Sequence, residues 1–236
     1  MADGDERDKP VDGRAARWAG QREKRRAEVV TAALEAIGEH GPWVSTEQIA
    51  ERAGISRPLL YRHFADADDV YGAVGRRISE LIIAEMEPVL TRPGGSAREI
   101  VTRVVRTFVV WMTDHVALYH YVVSRSVEAD QDRRLWATDI RARISALLGG
   151  VIGGYLALLG VDARVADPLA YGLVGMVEST TARWTVEPGP LDRDRLIGTL
   201  SGWVWGVLDD VLRDAGVVLD PDLPLPPLPD PDEPAG

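Results

Sequence analysis

The sequence predicts an all-α fold, a three-helix N-terminal domain followed by a larger helical domain, on three observations. No stretch sustains the period-two alternation of a strand. Apolar residues recur instead at i, i+3, i+4 and i+7 along most of the chain, as in Val101, Val104, Val105, Phe108, Trp111 and Met112. The breaks between these segments fall at glycine and proline, at Gly41-Pro42, at Arg92 to Gly95 and at Glu187 to Asp192.

Taken in order, residues 1–20 are polar, charged and aperiodic, and are expected to be disordered or to form a basic arm. The first helix is predicted from near Gln21 to His40, with Val30, Ala33, Leu34 and Ile37 on one face. Its start carries Arg22, Lys24, Arg25 and Arg26, readable either as a solvated helix end or as an arm on a polyanion. Ser45 to Phe64, STEQIAERAGISRPLLYRHF, then reads as two short helices around a tight turn. Ser45 and Gln48 have the spacing of a capping box. Gly54 is the residue that best tolerates the left-handed conformation ending a helix. Ser56 is expected to cap the second helix, with Pro58 in its first turn, where a missing N–H costs little. Two helices joined by a glycine-containing turn make a helix-turn-helix, which lays its second helix in a DNA major groove.

That helix suits the task chemically. Arg57 at its N-terminal end matches the bidentate geometry of guanine O6 and N7, and Leu59 could meet a thymine methyl. Tyr61 and His63 carry polar tips within reach of phosphates, while Leu60 and Phe64 point inward. Net charge is −10, yet residues 14–63 hold nine basic and six acidic side chains. Nucleic acid would therefore be approached through one end only. The bland alternative is an αα-hairpin whose polar residues merely face water.

Beyond Phe64, helices are expected from about 65–69 to 90, 96–116, 117–125, 133–159, 164–186 and 192–214. The apolar run Ala146 to Val161 has 16 residues, fewer than the roughly 20 needed to span a bilayer. The start has no apolar core, so it is not a signal peptide. No cysteine occurs. A soluble, cytoplasmic protein with no membrane partner is expected. In the last helix Gly198, Gly202 and Gly206 share one face, flanked by Trp205. Each interior glycine costs about 1 kcal/mol relative to alanine, so three in line suggest close approach by another helix. A homodimer interface is one reading and a buried helix of the monomer the other. The tail from Asp220, rich in proline and acid, is expected to be extended and unpacked.

The segment from about Arg22 to Tyr71 resembles the DNA-binding domain of the TetR family of bacterial one-component regulators. The A-G-I-S turn followed by Y-R-H-F carries the resemblance. It implies a homodimer reading a double-stranded, palindromic operator, with a variable C-terminal domain that binds a small effector and releases DNA. It implies that Ser45 and Thr46 contact phosphates, that Arg57 and Leu59 face bases, and that Tyr61 and His63 contact phosphates. Ser56, Pro58 and Arg62 complete the expected DNA-binding set. The chain departs from many relatives where a lysine opens the next helix; Ala67 stands there within ADADD, and Asp66, Asp68 and Asp69 should weaken backbone contact. Trp111 to Val123 is similar to an actinobacterial subgroup, some of whose members sense lipids or acyl thioesters.

The expected organisation is then a head over 21–71, a ligand-binding and dimerisation domain over 72–216, and a tail over 217–236. Trp111, His115, Tyr119, Trp136, Tyr155 and Trp184 are candidates to line an effector pocket, with Arg125 and Glu178 as polar anchors. Core packing competes with that role for each aromatic. His115 and His120 lack ligand spacing, so neither a metal nor a cofactor is expected. No catalytic motif is present: no G-x-S-x-G, no phosphate-binding loop, no dinucleotide fingerprint and no H-E-x-x-H. The competing class is a protein-interaction module with a degenerate head and a tail that docks a partner.

Overall fold

The computed structural model describes residues 13–128 and 135–228, with side chains described over 20–124 and 140–228. Among them the regular structure is helical: α1 (Gly13–His40), α2 (Thr46–Arg52), α3 (Arg57–His63), α4 (Ala67–Thr91), α5 (Ala97–Asp114), α6 (Val116–Glu128), α7 (Leu135–Leu158), α8 (Ala166–Val186) and α9 (Arg193–Asp214). The all-α expectation holds. Helix α1 begins at Gly13 rather than near Gln21, because Ala15, Ala16, Arg17 and Ala19 are strong helix formers. The chain divides into two compact units, 1–74 and 75–236, with the division inside α4.

The first unit closes around Ala33, Ile37, Val44, Ile49, Leu60, Phe64, Val70 and Val74, all essentially inaccessible. The capping box forms as expected: the Gln48 N–H donates to Ser45 Oγ at 3.2 Å, and the Ser45 N–H donates to Gln48 Oε1 at 2.8 Å. Gly54 takes φ +66°, so its N–H reaches Glu51 O and the Ile55 N–H reaches Ala50 O, ending α2 sharply. Ser56 occupies the cap position of α3 but makes no capping hydrogen bond. Pro58 removes one donor that its hydroxyl would serve, and the Leu59 N–H is taken by the Ser56 carbonyl at 2.9 Å.

In the second unit α7 packs along α8, and α5 lies against α8 and α9. Helix α5 buries Ile100, Val101, Val105, Phe108, Val109 and Met112 on one side. Helix α7 is apolar nearly all round, and 19 residues, Ile140–Leu158, are long and apolar enough by composition to cross a membrane. The count of 16 from Ala146 missed Ile140 and Ile144, which extend the stretch past Arg141 and Arg143. Ile144, Ile152 and Leu156 of that stretch are buried, and 22% of it is buried in all.

The tail differs from expectation in part. Residues 217–228 are extended and mostly exposed, but are tied to the start of α5 through the bridge of Ser96 and Pro224. Composition alone reads such a segment as solvated; the leucines between its prolines give it something to bury. Residues 229–236 of the tail lie outside the described residues.

Candidate nucleic-acid interface and apolar cavity

Helix α3 presents Arg57, Pro58 and Arg62 as exposed residues and Leu59, Tyr61 and His63 as half-buried ones, while Leu60 and Phe64 are buried as expected. The Arg57 guanidinium pairs with the Glu47 carboxylate of α2 and lies 5.7 Å from the Tyr61 ring centroid. Both partners of that ion pair are well exposed, so solvent screens it and an incoming phosphate or base edge can compete for the arginine. Thr46 is buried, and its hydroxyl lies 3.2 Å from the Tyr61 hydroxyl. These two expected phosphate contacts therefore satisfy each other. Hydrogen bonding with Thr46, then the neighbouring Arg57, draws the Tyr61 phenol below its ordinary pKa. The His63 Nδ1 is closed off with no hydrogen-bond partner, which leaves the other ring edge for any contact.

The feature sequence reading missed is Arg26. Rather than extending as an arm, it donates to both oxygens of Asp69 at 2.7 and 2.8 Å and to the His63 carbonyl at 2.7 Å, with its guanidinium 4.2 Å from the Phe64 ring centroid. It thereby fixes the C-terminal end of α3 to α1 and to the start of α4. Asp69 also accepts from the Ala65 N–H, and Asp66 accepts from the Asp69 N–H. Two of the three aspartates expected only to repel phosphate thus build the α3–α4 corner. No local pattern joins residues 43 apart, so nothing short of the fold reveals this clamp.

In the second unit a partly open cavity of about 140 Å³ is bordered by α4, α5, α7, α8, α9 and the tail. Its wall is aliphatic and aromatic, including Leu90, Val105, Phe108, Ile152, Leu173 and Trp205. Of the expected pocket residues, Tyr155 lines it, donating its hydroxyl to the Pro93 carbonyl at 3.0 Å. Trp111, His115, Tyr119, Glu178 and Trp184 do not. Trp111 is buried with the exposed His115 stacked on it at 5.2 Å, and Trp184 donates to the Leu191 carbonyl. Arg125 and Trp136 lie outside the described side chains.

Glu178 is half-buried and satisfied within the protomer, accepting from Arg141 Nε at 2.8 Å and standing 3.5 Å from the Tyr119 hydroxyl. Burial, reinforced by the Glu178 charge, pushes the Tyr119 phenol up to about 12. On α9, Gly198, Gly202 and Gly206 are exposed, and a Cβ added at any of them would meet nothing. Trp205, expected on that face, turns into the cavity instead. Trp203 and Val207 on α9 are 50% and 39% exposed.

Residues 29–74 match the model for bacterial regulatory proteins of the TetR family. That segment, the helix-turn-helix and the helices beside it, is the part of the chain that is similar to the TetR DNA-binding domain. An uncharacterized HTH-type transcriptional regulator of Mycobacterium tuberculosis is 28% identical over 206 residues, spanning 87% of this chain and 86% of its own length. The HTH-type transcriptional activator FasR of Mycolicibacterium smegmatis is 24% identical over 191 residues, 80% of this chain and 85% of its own. The fold is shared with FadR of Bacillus subtilis in complex with stearoyl-CoA, at a TM-score of 0.56 and 18% identity, covering 77% of this chain and 96% of that one. It is shared also with a transcriptional regulator of Pseudomonas aeruginosa PAO1, at a TM-score of 0.67 and 18% identity over 81% and 94% of the two chains. The match over the head, together with relatives that are HTH-type transcriptional regulators over most of their length, supports a DNA-binding transcriptional regulator.

Proposed function

We propose that this regulator represses transcription as a homodimer on a palindromic operator, and that a small lipophilic effector of acyl type releases it. The observation that carries the reading is the wholly apolar lining of the cavity in the second unit. A hollow with no charged group on its wall favours hydrocarbon over any polar metabolite. The stearoyl-CoA bound to the Bacillus subtilis FadR is in keeping with such a ligand. Arg57 and Leu59 read bases, with Ser45, Ser56, Arg62 and His63 steadying the backbone. Thr46 and Tyr61 act through their mutual hydrogen bond, which holds α3 against α2. The exposed glycine face of α9, with Trp203 and Val207 beside it, meets the second copy. The cytoplasm is where such a reader meets its operator.

The interaction-module alternative loses support at both of its motivations. Asp69 is neutralised by Arg26, and residues 217–228 are engaged by their own chain.

A shift assay on DNA flanking its own gene tests the reading, with palmitoyl-CoA and free palmitate as effectors. Sequence-specific binding that either effector weakens is expected. Binding that both leave unchanged, at concentrations that saturate the protein, would overturn the effector assignment. In the same assay Arg57→Ala should lose about 1–3 kcal/mol of discrimination at one base position. Uniform weakening on every sequence would make Arg57 a phosphate contact instead.

A further inference from the structure

The cavity has helical walls and one wall that is not helical. Leu219 and Leu225 of the tail close part of it. Beyond Val217 the chain turns at Asp220 to Leu223, and its Pro221 carbonyl accepts from the Arg98 N–H at 2.9 Å, one of the donors a helix start leaves unpaired. The Leu225 N–H donates to the Gly95 carbonyl at 2.9 Å, and Asp222 pairs with the Arg98 guanidinium at 2.6 Å. Leu228 then seats on α7 at Gly154, where an added Cβ would lie 3.0 Å from its Cδ2. Glycine at 154 therefore leaves the space in which that leucine sits.

This wall is fastened far more weakly than the others. Four prolines, at 221, 224, 226 and 227, deny the segment the donors that a helix or a ladder would use. Its ion pair is 53% and 66% exposed at the two side chains, so solvent screens most of its worth. The helical walls hold i→i−4 ladders, interrupted in α4 at Pro88, and a segment tied by so few bonds opens locally at lower free energy.

We propose that residues 217–228 are a detachable strap over the effector cavity: an acyl chain enters where Leu219 and Leu225 leave, and the strap closes behind it. The inference rests on the effector reading above. The strap then governs how fast effector exchanges, separately from how the helices respond to it.

The chain has no cysteine, so an engineered pair would be its only thiols. Ser96 and Pro224 face each other across the antiparallel bridge, and residues so paired stand about 4.5–5.5 Å apart at Cα, within disulfide reach. Full-length Ser96→Cys/Pro224→Cys is compared, oxidised and reduced, for association and dissociation of cis-parinaric acid, a fluorescent long-chain fatty acid. Oxidation should slow both rates by roughly tenfold or more, with dithiothreitol restoring them. Gly154→Val, which displaces Leu228, should speed both in an otherwise wild-type chain. Equal rates in the oxidised and reduced forms, with the probe bound in each, would overturn the strap while leaving the cavity as the site. Failure of the wild-type protein to bind the probe would remove the cavity reading, and the strap with it.

Discussion

In the N-terminal unit Ile37, Ile49, Leu60 and Phe64 are fully enclosed, and the partly buried Arg26 is matched by Asp69. In the second unit comparable aliphatic side chains surround about 140 Å³ of emptiness. Such a hollow forgoes packing contacts that the same helices could have had. A reading head must hold a few side chains at fixed positions on DNA, and filled packing with satisfied polar groups does that. A sensor gains from an unfilled interior, because whatever fills it stabilises one state over another. The contrast separates rigidity from response within one chain.

The largest expected effect breaks the head. Leu60→Ala should cost about 2–5 kcal/mol, because the side chain is fully enclosed. Hydrogen exchange should show protection lost in residues 29–74 while the second unit keeps its own. Equal loss across both units would mean that they do not differ as described.

Arg26→Ala should cost about 1–3 kcal/mol, discounted from a fully buried pair because the two side chains are 19% and 27% exposed. Its mark would be loosened exchange at the α3–α4 corner and weaker DNA binding on every sequence alike. Arg26→Lys should rescue little, since one ammonium cannot serve Asp69 and the His63 carbonyl in the same fork.

A paired insertion compares the two interiors directly. Ala36→Leu in the head should destabilise by about 1–3 kcal/mol through overpacking, whereas Val174→Phe should cost under about 1.5 kcal/mol by growing into the cavity. Denaturant midpoints check the difference, and Val174→Phe should also abolish uptake of a fatty-acid probe. The smallest effect is electrostatic. Tyr119 has a folded pKa raised from 10 to about 12, so its contribution is complete below pH 10 and declines as pH rises toward 12. Tyr119→Phe should flatten that part of the pH–stability curve, read from melting temperatures over the same range.

Legibility followed the range of the interactions. Helices α2 to α9 and the helix-turn-helix were readable because capping boxes, Gly54 and apolar periodicity act within four residues. The Arg26–Asp69 clamp joins distant residues and was not readable. The lining of this cavity was hard to read for a different reason. The expectation weighted aromatic and polar types, while the cavity is lined largely by aliphatics whose spacing equals that of ordinary core. Trp205 was assigned to the glycine face by angle alone; the hollow beside α9 draws it the other way. The tail misled through its prolines, which exclude a helix without excluding packing. Leu225 and Leu228, three apart, match the period of an extended proline-rich segment and were the overlooked sign.

The measurement that bears most directly on the division between a rigid reader and a hollow sensor is fluorescence anisotropy of labelled operator DNA. It is run on wild-type protein and on Val174→Phe, each with and without saturating palmitoyl-CoA. The expected result is that the acyl thioester weakens DNA binding by wild type, while the filled variant binds the same DNA with wild-type affinity and ignores it. Loss of DNA by both proteins alike would contradict the account, because the effect would then not pass through the cavity.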